Sequence, residues 1–210
     1  MGSLPIRDLL AALEGTAKLL VRWGLKADEW CLLDGPAIKL HDSHFDSRAW
    51  RDHLNVYVNE QALPWPTREF ELTVPPLGSA ELDEILELAR GGTQIHLVPA
   101  WRYYTAGFER KPVGLPSGRS IEAATLRGCS QVWSYKSAEI VDKIEDFEGD
   151  LERIVEERLV RLRAALAAAS EADARERILL LESGYEALRR RRVAAAREIF
   201  MRAAGPSWTG

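Results

Sequence analysis

The 210 residues include only two cysteines, two methionines and four histidines. Cys31 and Cys129 stand far apart and match no metal-ligand spacing, so neither a disulfide framework nor a zinc knuckle is expected. Reduced, buried thiols fit better, which favours a cytoplasmic setting. Long hydrophobic runs are also missing. No stretch approaches the roughly 18 apolar residues of a membrane span, so no membrane partner is expected. Arg7 and Asp8 interrupt the apolar pattern of the first residues, which therefore do not read as a secretory leader. A formal charge of -4 supplies no general attraction to polyanions, so nucleic acid is not an expected partner.

What is present is ordinary globular composition: 46% hydrophobic and 29% charged residues, enough at this length for a real core. Residues 4–23 place Leu9, Leu10, Leu13, Ala17, Leu20 and Val21 at helical steps, closed by Gly24. A short apolar run from Trp30 to Leu33 meets a turn at Asp34, Gly35 and Pro36, after which residues 37–41 can begin a helix. Leu54, Val56 and Val58 alternate as in a strand, and so do Phe70, Leu72 and Val74. Leu82, Ile85, Leu86 and Ala89 suggest a helix, followed by a strand over residues 94–98. This strand, helix and strand predict an α/β layer arrangement. Residues 101–118 give no clear pattern, and residues 119–126 suggest an edge strand.

Beyond about Ser130 the character turns helical. One helix carries Val132, Tyr135, Ile140 and Ile144, and a second carries Leu151, Val155, Leu159, Leu162 and Leu166. The leucine-rich stripe of the second is either core or a dimer seam. A third begins at a Ser170–Asp173 cap and carries Ile178, Leu181, Tyr185 and Leu188. Residues 194–204 extend it or form a fourth. Four arginines, residues 189–192, are expected to spread around a solvated helix. The expected organisation is an α/β head over residues 1–128, a helical region over 129–204, and a disordered tail over 205–210.

Residues 32–58, LLDGPAIKLHDSHFDSRAWRDHLNVYV, carry a resemblance. They resemble the signature of the nucleotidyltransferase superfamily, in the branch of small bacterial minimal and abortive-infection-type proteins. That signature is a strand, a glycine turn, a short helix, a polar stretch with arginine, and a second strand bearing two acids two residues apart. The resemblance implies a mixed sheet with flanking helices and a helical region after it. It also implies a cleft in which three carboxylates hold two divalent metal ions. On the hydrophobic frame those three positions hold His53, Asn55 and His96. Shifting by one residue brings Asp52 to the first position but Leu54 to the second, so neither register restores the acidic pair. At the turn, Asp34 and Gly35 remain, while Pro36 removes a backbone donor.

The implied function is therefore a non-catalytic, nucleotidyltransferase-like protein that binds a nucleotide-like ligand or a protein partner. The candidate ligand-binding residues are Asp34, Gly35, Asp52, His53, Asn55, His96 and Lys136, the last by analogy with a cleft-facing lysine. His53 and His96 are the candidate ligands if a divalent metal is held. Trp50, Trp65, Trp101, Tyr103 and Tyr104 could stack on a base. Three alternatives stay open: an active nucleotidyltransferase with atypical metal ligands, an antitoxin-like interaction protein, and a homodimer through the C-terminal helices.

Overall fold

Alternating burial and helical periodicity both recur in the computed structural model, which describes residues 5–50, 53–62, 94–144 and 150–208. Helix α1 spans Ile6–Arg22 and buries Leu9, Leu13, Ala17 and Leu20. Val21, expected on that face, is 55% exposed. Strand β1 (Trp30–Leu33) leads directly into α2 (Asp34–His41), and β2 spans His53–Val58. Strand β3 is Gln94–Pro99, α3 is Trp101–Ala106, β4 is Arg110–Gly114 and β5 is Ser120–Ala124. Four helices follow: α4 (Leu126–Asp142), α5 (Leu151–Ala168), α6 (Ala172–Arg189) and α7 (Val193–Ala204). The chain is mixed α/β, as expected. The expected strand around Leu72, the helix around Ile85, and Trp65 lie outside the described residues. No described helix is long and apolar enough to cross a membrane.

Two compact units result: Met1–Tyr104 with Arg110–Thr125, and Thr105–Glu109 with Leu126–Gly210. The first is built on a mixed sheet of order β3-β2-β1-β5-β4. β1 runs antiparallel to β2 and parallel to β5, β2 runs parallel to β3, and β4 runs antiparallel to β5. The strand expected at an edge, β5, is therefore interior. The edge is β4, whose exposed Lys111 and interrupting Pro112 hide it from a periodicity reading. Pleat and register divide the sheet into two faces. Trp30, Leu32, Leu54, Val56, Val58, Ile121 and Ala123 share one, and all are buried. α2 packs on β1 and β5, where His41 Nε2 lies 2.9 Å from the Ala123 carbonyl oxygen.

The second unit is helical. Along α4, Ser130, Ser134 and Ser137 are buried and donate to the carbonyls of Arg127, Ser130 and Trp133 at 2.7–2.8 Å. Their hydroxyls are thus satisfied within the helix, and their small size leaves room for neighbours. Gly128 is required outright: a Cβ there would stand 1.8 Å from the Glu109 carbonyl oxygen. On α6, Gly184 faces the fully buried Phe200 of α7, whose ring a Cβ would meet at 2.2 Å. The stripe of α5 is core, with Leu151, Val155, Leu159 and Leu162 buried inside the unit.

Three expectations fail in this unit. Glu171, not Ser170, is the N-cap of α6, and its side chain makes no capping bond. Trp208, within the segment expected to be disordered, is buried and stacks on Tyr135 at 4.9 Å with the rings 10° apart. The four arginines do not share a helix. α6 ends at Arg189, and Arg191 turns the chain with φ +57°. Arg191 N–H donates to the Leu188 carbonyl and Arg192 N–H to Ala187, the two bonds of a Schellman ending.

Candidate functional site

The sheet face opposite the apolar one is where the sequence places its candidate site. Register puts Leu33, Asn55 and His96 side by side across β1, β2 and β3. Leu33 is fully buried, Asn55 is half-buried and His96 is exposed. Two residues before Asn55, the His53 backbone lies in register with Gln94. The side chain of His53, and all of Asp52, lie outside the described residues.

Asp34 follows β1 directly, and its backbone is left-handed, with φ +68°. That conformation is rare outside glycine, though aspartate tolerates it better than most residues. It replaces the expected three-residue turn, so that α2 starts at Asp34 itself and Pro36 falls in its first turn, where a missing N–H is harmless. The Asp34 side chain is 5% exposed and accepts a hydrogen bond from Asn55 Nδ2 at 2.5 Å. A buried carboxylate needs such donors, and an amide at position 55 supplies one where a second acid would repel.

Gly35 is covered. A Cβ on it would lie 2.6 Å from the Trp50 ring, so glycine is what lets the indole approach the turn. Trp50 is 6% exposed and is buttressed by Phe45 at 5.2 Å. The turn of residues 47–49 that delivers it is capped by Asp46, which accepts from the Arg48 backbone. Arg48 is committed there too. Its guanidinium donates to both Asp46 oxygens, at 2.5 and 2.8 Å, and these bonds bring the Asp46 carboxyl down to about 2.

Further along the same face lies a cluster that sequence reasoning missed. Arg110 on β4 stands 4.8 Å over the Tyr104 ring and 4.0 Å from Glu122 on β5. Tyr104 reaches across from α3 and donates its hydroxyl to the Tyr57 carbonyl at 3.2 Å. Burial pushes the Tyr104 phenol and the neighbouring Cys31 thiol well above their usual ranges, so neither ionises near neutrality. Only the aromatic tyrosines hinted at this cluster, because the β4–β5 pairing that delivers Arg110 and Glu122 has no local signal.

The structure thus joins Asp34 to Asn55 and sets Asn55 beside His96. It does not gather His41 or His44 there: His41 lies against β5 and His44 is exposed. Lys136 is a half-buried residue of α4, in the other unit. Among the described residues no three His, Cys, Asp or Glu side chains are grouped to hold a metal ion. What the face offers is hydrogen bonding: a carboxylate, an amide, an imidazole and a half-buried guanidinium. No protein-family model, characterised protein or solved structure matches this chain.

Proposed function

We propose that the chain is a nucleotidyltransferase-like protein that binds a nucleotide-like ligand beside Asn55 and His96 and does not transfer nucleotides. One observation carries the reading: the carboxylate at the end of β1 is bonded to an amide at position 55, where the resemblance calls for a second acid. Two-metal transfer needs adjacent anionic oxygens free for the cations. Here Asp34 is buried and engaged, and Asn55 contributes no charge. The sheet order supports the resemblance, since β2 lies between antiparallel β1 and parallel β3, with position 55 beside position 96.

Thermal denaturation across a panel of nucleoside mono-, di- and triphosphates tests this. At least one should stabilise the protein, by about 2.7 kcal/mol at a hundredfold excess over Kd. The gain should be lost in Asn55→Leu and His96→Ala. No stabilisation by any nucleotide would remove the reading. Labelled nucleoside triphosphates with magnesium or manganese should leave no label on protein or acceptor. Transfer abolished by Asp34→Asn would instead establish the active enzyme.

A second reading, action through a protein partner, draws support from the helical unit, where Val160, Leu179 and Met201 are each more than 40% exposed.

A further inference from the structure

Four consecutive arginines on one helix would point to different sides, but here the chain turns among them. Arg190 is the C-cap of α6 and Arg192 the N-cap of α7. Both line one surface groove of about 420 Å³ between the two helices, a size within the range of small-molecule sites. The carboxylates on its wall are already compensated. Arg163 pairs with Glu182 at 3.0 Å and with Glu186 at 3.3 Å, and Arg189 pairs with Glu186 at 2.6 Å. Arg190 and Arg192 are exposed, and neither makes an ion pair among the described residues. The first turn of α7 carries no acid to meet them. The groove is therefore cationic at this arginine corner. Away from the corner it is apolar, lined by Leu179 and Ala187 on α6 and by Ala195 and Ile199 on α7.

We propose that the groove binds a phosphate monoester with a short hydrocarbon body, its phosphate at Arg190 and Arg192 and its body along Ala195 and Ile199. Charge selects the head group. Two uncompensated guanidinium groups at one end match a group that carries nearly two negative charges and three acceptor oxygens, whereas a carboxylate brings a single charge. Length sets the body. Ile199 lies seven residues beyond Arg192, about 10 Å along α7, so a chain of about six carbons reaches from the corner to it. A long polyanion fits less well, because its further charges would pass Glu182 and Glu186 and lie over apolar side chains. This site lies in the helical unit and does not rest on the nucleotide reading of Asn55 and His96.

Equilibrium dialysis of the full chain against ethyl, butyl and hexyl phosphate tests the proposal, with hexanoate and hexanol as controls. Affinity should rise from ethyl to hexyl phosphate by about tenfold or more, since burying two methylene groups is enough for that factor. Hexanoate should bind about tenfold more weakly than hexyl phosphate, for want of the second charge, and hexanol should not bind. Arg190→Glu combined with Arg192→Glu should abolish binding of every phosphate. Ile199→Gln should flatten the chain-length series and leave ethyl phosphate bound as before. Leu179→Gln, at a more exposed position, should weaken hexyl phosphate by a smaller factor. An unchanged melting transition in each variant serves as the folding check. Hexyl phosphate that fails to bind at about 1 mM, the level of a weak small-ligand site, overturns the proposal. So does an affinity that is independent of chain length, or one that survives reversal of both arginines.

Discussion

Both units end a helix with the same pair of backbone bonds, but with different residues in the decisive places. In the sheet unit α1 closes on Gly24, φ +85°, with Gly24 N–H bonded to the Val21 carbonyl and Leu25 N–H to Leu20. Glycine takes the left-handed position without strain, and Leu25 is buried, as the motif favours. In the helical unit α6 closes with the same bonds, but Arg191 holds the left-handed position and Arg192 follows it. The roles reverse at the sheet's own turn, where Asp34 is the strained residue. Each unit thus has regular, well-packed elements and one place where the chain departs from what local preference would choose. In the sheet unit that place is the candidate ligand face, and in the helical unit it is the arginine corner.

Substitutions can break or sharpen this contrast. The largest effect belongs to the packed helical interior: Phe200→Ala should lower unfolding free energy by about 4 kcal/mol in urea titration. Gly128→Ala should cost about 3 kcal/mol, because the obstruction is the Glu109 backbone and cannot rotate away. In the sheet unit the vulnerable feature is polar. Asn55→Leu should cost about 2 kcal/mol by leaving the Asp34 carboxylate short of a donor. A neutral result would mean that the Asp34–Asn55 bond does not support the turn, and the contrast would fail. Gly35→Ala should cost about 1–2 kcal/mol, and Gly35→Ala with Trp50→Leu less than the two separately, since the smaller side chain clears the collision. The smallest effect has the opposite sign. Arg191→Gly should gain about 1 kcal/mol by relieving the left-handed position.

Legibility in the sequence followed how local the determinants are. Apolar steps of three and four reveal α1, α5 and α6, because each buries a continuous face. Alternation marks β2, whose register sets Asn55 beside His96 of β3. Of the β4–β5 hairpin only β5 was legible, and as an edge, because Pro112 and exposed residues blur β4, and the interior place of β5 depends on β1, some ninety residues earlier. α3, only six residues long, carries too few steps to show a period. At the site, the residue types were readable but their commitments were not. That Asp34 turns onto Asn55 depends on a left-handed φ, and that Trp50 covers Gly35 depends on a side chain fifteen residues away. Similarly, four consecutive arginines read as helix because nothing in their side chains announces a turn. The turn comes from backbone bonds back to Ala187 and Leu188.

The two cysteines, inert as they are, make the molecule its own instrument. Cys31 lies in the sheet unit and Cys129 in the helical unit, and both are fully buried. A thiol reagent reaches either sulfur only when the surrounding structure opens, so each labelling rate measures the opening free energy of one unit. Two rates that rise together under every destabilising substitution would describe a single cooperative body. Rates that separate, with Phe200→Ala exposing Cys129 alone and Asn55→Leu exposing Cys31 alone, would describe two units that open independently within one chain.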